Sequence, residues 1–271
     1  MVSERHPDFH TWVIRARPNP HARLRLFCFP YSGKGASLFH TWSQELPPDI
    51  EVCAIELPGR ESRFREPPFT QLVPLVQELA EVLHPYLDVP FAFFGHCVGS
   101  LISFTLARQL RRSYQVTPAF LFLAAHRAPQ LPSRQIPLHA LPDSEFLEGV
   151  HCLNGITEET FQNSMLMQLV LPSLRADFTL GETYQYEEDE PFACPLVVFG
   201  GRKDHLVSNE ELVAWHIQTR SDFTFHLLEG GHFFLHESRQ ELLSEISKKI
   251  LYWSDGTLRP NQSLSPNTSW R

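Results

Sequence analysis

No stretch of the 271-residue chain approaches the roughly 18 consecutive apolar residues that a membrane span requires. Basic charge is also short: 23 Lys and Arg stand against 31 Asp and Glu, a net charge of −8. General nucleic-acid binding needs a basic face, so this balance argues against it, and less strongly against anionic membrane surfaces. The opening residues, Met1-Val2-Ser3-Glu4-Arg5-His6-Pro7, lack the apolar segment of a secretory signal. The five cysteines (Cys28, Cys53, Cys97, Cys152, Cys194) form no CxxC and no Cys/His ligand set. That argues against a zinc site and against a disulfide framework. Reduced thiols in a cytoplasm are the expectation. Asn261 and Asn267 each open an N-x-S pattern, which without a secretory signal reads as a chance match. There is no internal repeat.

What is present is the balance of an ordinary globule, 42% apolar and 20% charged, long enough for one α/β domain with an inserted subdomain. Short β-branched and aromatic runs alternate with longer 3.6-periodic segments, which predicts a mostly parallel sheet with helices on both faces. Strands are expected near residues 24–29, 52–56, 91–94, 119–124, 196–199 and 223–228. Leu72, Leu75, Val76, Leu79, Val82 and Leu83 predict a helix over 72–87. Ser208 and Glu211 have capping-box spacing, and a last helix is expected over 240–253. Residues 129–192 break the alternation, with helices expected at 143–150 and 158–169 and no strand. An insertion there reads as a helical cap over the strand ends where open α/β sheets bind ligands. The domain is expected to span 1–254, with a disordered tail over 255–271.

The most informative stretch is Phe91-Ala92-Phe93-Phe94-Gly95-His96-Cys97-Val98-Gly99-Ser100, an apolar strand followed by G-x-C-x-G and a helix. This is the pattern of a nucleophile elbow, whose sharp turn requires small residues on both sides of its middle position. It places Cys97 at a helix N-terminus, where the helix dipole favours a thiolate. The alternative is a buried structural cysteine beside two loop glycines.

In the α/β-hydrolase fold the chain order is nucleophile, acid, histidine. His232 lies in a Gly230-Gly231 turn directly after the last strand, the place for a general base. Among the 14 histidines, His236 is expected to face solvent or the cap, and His96 to point away from the site. Asp204 follows a strand ending in Gly200-Gly201-Arg202-Lys203. It could accept the imidazole Nδ1–H or merely cap a helix, and Asp177 is the reserve. The loop Pro30-Tyr31-Ser32-Gly33-Lys34-Gly35-Ala36 closes the first strand. Ser32 and Val98 are the expected backbone N–H donors of an oxyanion hole. No metal site or bound cofactor is expected.

Four motifs together resemble the type II thioesterases of polyketide and non-ribosomal peptide synthesis, and their relative that releases fatty acids from acyl carrier protein. They are Phe27-Cys28-Phe29-Pro30-Tyr31-Ser32-Gly33, Leu57-Pro58-Gly59-Arg60-Glu61-Ser62-Arg63, the elbow, and Leu171-Pro172-Ser173-Leu174-Arg175-Ala176-Asp177-Phe178. The resemblance runs over about residues 24–253. It implies an α/β-hydrolase fold, a triad of Cys97, Asp204 and His232, oxyanion donors at Ser32 and Val98, and a cap gating an acyl chamber. It also implies acyl groups carried on the phosphopantetheine of carrier-protein partners. The family usually has serine at position 97, alanine at 32 and glycine at 34; the thiol is native or a replacement.

A cysteine nucleophile forms an acyl thioester close in energy to the thioester it came from, so transfer to another thiol competes with hydrolysis. Hydrolysis is favoured because the family as a whole is hydrolytic. Shuttling of acyl or aminoacyl groups between carriers is the alternative, and a non-catalytic carrier-binding module the alternative of another class. Carrier proteins of these pathways are usually acidic, so a basic docking patch is expected from Arg60, Arg63, Arg65, Arg127, Arg134 and Arg175. A monomer is the default.

Overall fold

The computed structural model describes residues 8–153 and 158–254. Seven strands form one sheet: β1 (Val13–Ile14), β2 (Leu24–Phe29), β3 (Ile50–Ile55), β4 (Phe91–His96), β5 (Phe120–Ala124), β6 (Leu196–Gly201) and β7 (Phe223–Leu228). Their order across the sheet is β1-β3-β2-β4-β5-β6-β7. Only β1 runs antiparallel, pairing Val13 with Ile55. This two-residue edge strand is too short for periodicity to reveal, and the sequence reading did not anticipate it. The other six strands match the expected runs to within two residues at each end.

The strands read as near-continuous apolar runs because both faces are covered. Along β2, Leu24, Leu26 and Cys28 enter one core cluster, while Phe27 and Phe29 enter the other. In β4, Phe91 and Phe93 face one side and Ala92 and Phe94 the opposite, as a period of two requires.

Ten α-helices lie among the described residues. They are α1 (Phe9–Trp12), α2 (Trp42–Glu45), α3 (Leu72–Leu83), α4 (Val98–Tyr114), α5 (Asp143–Cys152), α6 (Glu158–Gln162), α7 (Ser164–Glu182), α8 (Asn209–Val213), α9 (Phe234–Glu237) and α10 (Arg239–Ser254). The expected helix over 72–87 ends as α3 at Leu83, and a 3-10 turn, His84–Tyr86, follows with Pro85 inside it. The capping box forms at the start of α8, with reciprocal bonds between Ser208 and Glu211.

Between β5 and β6 the described residues contain α5, α6 and α7 and no strand. The expected helix over 158–169 is a correction. A break after Gln162 divides it, and its second part, α7, continues through Pro172 to Glu182. Proline removes one helical N–H, but packing holds the helix on both sides of it. Met167 lies buried before Pro172, and Leu174, Asp177 and Leu180 after it. The tail over 255–271, with Asn261 and Asn267, lies outside the described residues, as do residues 1–7.

Candidate active site

The C-terminal ends of the parallel strands converge on one cavity of about 450 Å³, lined by Ser32, Cys97, Val98, His232, Leu174 and Phe178 among others. Cys97 follows β4 directly and has φ 54°, ψ −122°, a conformation that L residues seldom adopt. The flanking glycines are sterically required. A Cβ on Gly95 would stand 2.3 Å from the Gly99 carbonyl oxygen, and one on Gly99 would stand 2.3 Å from that of Phe29. Cys97 N–H donates to the Ala124 oxygen at 2.8 Å. Beneath it the buried Ser100 hydroxyl donates towards the Gly95 and Ala124 oxygens at 2.7 and 2.9 Å. The turn is thus over-determined from both sides.

His232 stands in the loop after β7, and its Nδ1 lies 2.9 Å from Asp204 Oδ2. The Asp204 carboxylate is fully enclosed, and its Oδ1 accepts the N–H groups of Leu206 and Val207 at 2.8 and 3.3 Å. Those bonds orient the acid and leave Oδ2 for the imidazole. Burial works against a charged His232. The negative charge of a Cys97 thiolate and hydrogen bonds to Asp204 and Cys97 overcome it, and the imidazole is raised to about 10. Cys97, His232 and Asp204 are therefore brought together.

His96 and His236 lie where they were expected. His96 is buried behind the site, its Nε2–H donating to the His232 carbonyl at 2.8 Å. Burial and the neighbouring His232 hold it neutral, well below the usual imidazole range. His236 is exposed and bonds Tyr31 Oη at 2.9 Å.

Asp177, the reserve acid, is not beside the imidazole. It is 1% exposed and receives both Nη groups of Arg60, at 2.6 and 2.8 Å. The expected basic patch is corrected in part by the same fact. Arg60 and Arg63 are each only 6% exposed, and Arg63 serves Glu66 and the Glu56 carbonyl. Arg175 donates to the His139 and Leu141 carbonyls and to Asp143. Arg127 lines the cavity and bonds the Leu131 carbonyl. Arg65 and Arg134 remain exposed, with Arg134 3.6 Å from Glu211. Loop arginines look alike in sequence; only the fold separates internal anchors from surface charges.

Sequence reasoning missed two cavity residues. The Tyr31 phenol is pushed up to about 12 by burial and then by the charge at Cys97, so it stays neutral. His126, at the end of β5, is pulled down to about 3 by burial and then by Arg127. Tyr31 adjoins the Ser32 loop and could have been flagged; His126 had no motif to mark it. No group of three or more potential metal ligands occurs among the described residues, and no described helix is long and apolar enough to cross a membrane.

A mostly parallel sheet with an elbow after a central strand and an acid–histidine pair on later strand-end loops defines an α/β hydrolase. More narrowly, residues 24–250 match the thioesterase domain model, and the chain belongs to that family. It is 45% identical over 239 residues to the gramicidin S biosynthesis protein GrsT of Aneurinibacillus migulanus, covering 88% of this chain and 93% of that one. The thioesterase PikA5 of Streptomyces venezuelae is 33% identical over 246 residues, covering 90% of this chain and 87% of that one. The type II thioesterase BorB, from the borrelidin biosynthetic cluster, superposes with a TM-score of 0.81 at 32% identity, over 88% of this chain and 97% of that one.

Proposed function

We propose that this thioesterase releases acyl or aminoacyl groups from the phosphopantetheine arms of carrier proteins in non-ribosomal peptide or polyketide synthesis, through an acyl-Cys97 intermediate. The single observation that supports it most is the elbow thiol beside an imidazole whose far nitrogen lies 2.9 Å from the buried Asp204 carboxylate. Membership of the family supports the reaction class, and relatives such as GrsT and BorB support the pathway.

In this reading His232 Nε2 takes the Cys97 proton and the sulfur attacks the thioester carbonyl carbon. The resulting oxyanion is met by the N–H groups of Ser32 and Val98, neither of which has a hydrogen-bond acceptor among the described residues. The C–S bond to phosphopantetheine breaks, and the departing sulfur receives the imidazolium proton. Water then gives a proton to His232 and attacks the acyl carbon, releasing the acid and the Cys97 thiol. Asp204 fixes the tautomer and orientation of the imidazole.

Transfer to a second carrier is the alternative that the thiol itself favours, since exchange between thioesters is nearly isoenergetic. Incubation with a loaded carrier and a second, empty one tests both. Mass spectrometry finding free acid supports hydrolysis; an acylated second carrier supports transfer. An untouched loaded carrier, with no acyl group released or moved, would refute catalysis and favour a binding module.

A further inference from the structure

Asp177 lies on α7, and Arg60 lies 117 positions earlier in the Leu57-Pro58-Gly59-Arg60 loop. Both side chains are almost fully enclosed. The fork of Arg60 grips both carboxylate oxygens, at 2.6 and 2.8 Å, the geometry of a strong planar pair. Two further bonds turn the pair into something more than an ion pair. Gly33 N–H donates to Asp177 Oδ2 at 2.7 Å, and Arg60 Nη1 donates to the Lys34 carbonyl at 3.2 Å.

Both contacts fall on the residues directly after Ser32. The peptide before Ser32 is held by Lys34 N–H donating to the Tyr31 carbonyl at 3.1 Å. The peptide after it is held by Asp177. Gly33 has φ +77°, a residue free to swing once its N–H is released. Rotation of that peptide would carry the Ser32 carbonyl round and disturb the adjoining Ser32 N–H, the expected donor. The same face of α7 presses on the loop directly: a Cβ on Gly33 would stand 3.0 Å from Leu174 Cδ1. Two turns on from Leu174, a Cβ on Gly181 would stand 3.8 Å from a methyl of Val98, the other expected donor.

We propose that Asp177 and Arg60 are positioning residues that latch α7 to the Ser32–Lys34 loop, so that the oxyanion hole is set only when α7 is seated. The latch rests on the assignment of Cys97 as nucleophile and Ser32 as donor. Neither residue touches the reacting atoms. A buried ion pair is a poor device for stability alone; here its bonds fix a peptide plane.

The test separates two reactions of one sulfur. Alkylation of Cys97 by iodoacetamide needs the nucleophile and no oxyanion hole; acylation by a thioester needs both. The double variant Arg60→Met with Asp177→Leu removes both charges together and leaves neither buried alone. Expected is a fall in kcat of about 10²-fold with KM nearly unchanged, and an alkylation rate within about twofold of wild type. Asp177→Asn, whose amide oxygen can still accept from Gly33 N–H, should recover part of the loss. A double variant that turns over at the wild-type rate would overturn the latch, as would equal losses of acylation and alkylation. Turnover surviving the loss of the Cys97 thiol would overturn the assignment beneath it.

Discussion

On the proposed acyl-Cys97 route, the sulfur at position 97 sets the energy of the acyl intermediate and the proton on His232. Because the thiolate charge and Asp204 together raise His232 to about 10, the imidazolium needed to protonate the leaving sulfur is present through neutral pH and is lost as pH rises past that value. The pH profile of kcat/KM should therefore fall on its alkaline side near pH 10. Asp204→Asn removes a carboxylate that raises the imidazole, so the descending limb should move to lower pH. A limb that stays in place would detach Asp204 from His232. Cys97→Ala should lower thioester turnover by about 10³-fold or more, measured by release of free thiol, with the melting temperature little changed. That these three side chains would meet was legible because elbow spacing and chain order are demanding. The Asp177–Arg60 pair was not, since nothing local in either motif says that they meet across 117 positions.

Among the elements, the β4–α4 turn is the least forgiving. Gly99→Ala would drive a methyl against the Phe29 carbonyl, with 2.3 Å between the centres. Overpacking of this kind costs about 3 kcal/mol, which thermal unfolding should register as a drop of roughly 6–12 °C for a domain of this size. An unchanged melting temperature would mean that the turn relaxes freely. Apolar runs and glycine positions made this element readable in advance. Helix α7 was readable only in part: the expected helix stopped at residue 169, and burial of Leu174, Asp177 and Leu180 carries it on past Pro172. Edge strand β1 escaped because two residues carry no period, and it exists through pairing with Ile55 and Ala54.

At the scale of the molecule, an acidic carrier that docks on this acidic chain would need local surface cations. Arg65 and Arg134 are the exposed ones of the six expected. Reversing both to glutamate should raise KM for a carrier-bound acyl group several-fold and leave a small soluble thioester unaffected, with both followed by steady-state kinetics. Equal effects on the two substrates would place these arginines outside docking. The parallel sheet, its two covered faces and the convergence of strand ends were all foreseeable from periodicity, because a doubly buried sheet must be apolar throughout. The internal use of Arg60 and Arg63 was not, since burial is a property of the assembled fold. The central claim is met most directly by acid-quenching the protein milliseconds to seconds after mixing with a loaded carrier, then mapping the acyl adduct by peptide mass spectrometry. The account predicts an acyl mass on the peptide holding Cys97, labile to hydroxylamine and missing from Cys97→Ala; turnover with no adduct there, or undiminished in that variant, would contradict it.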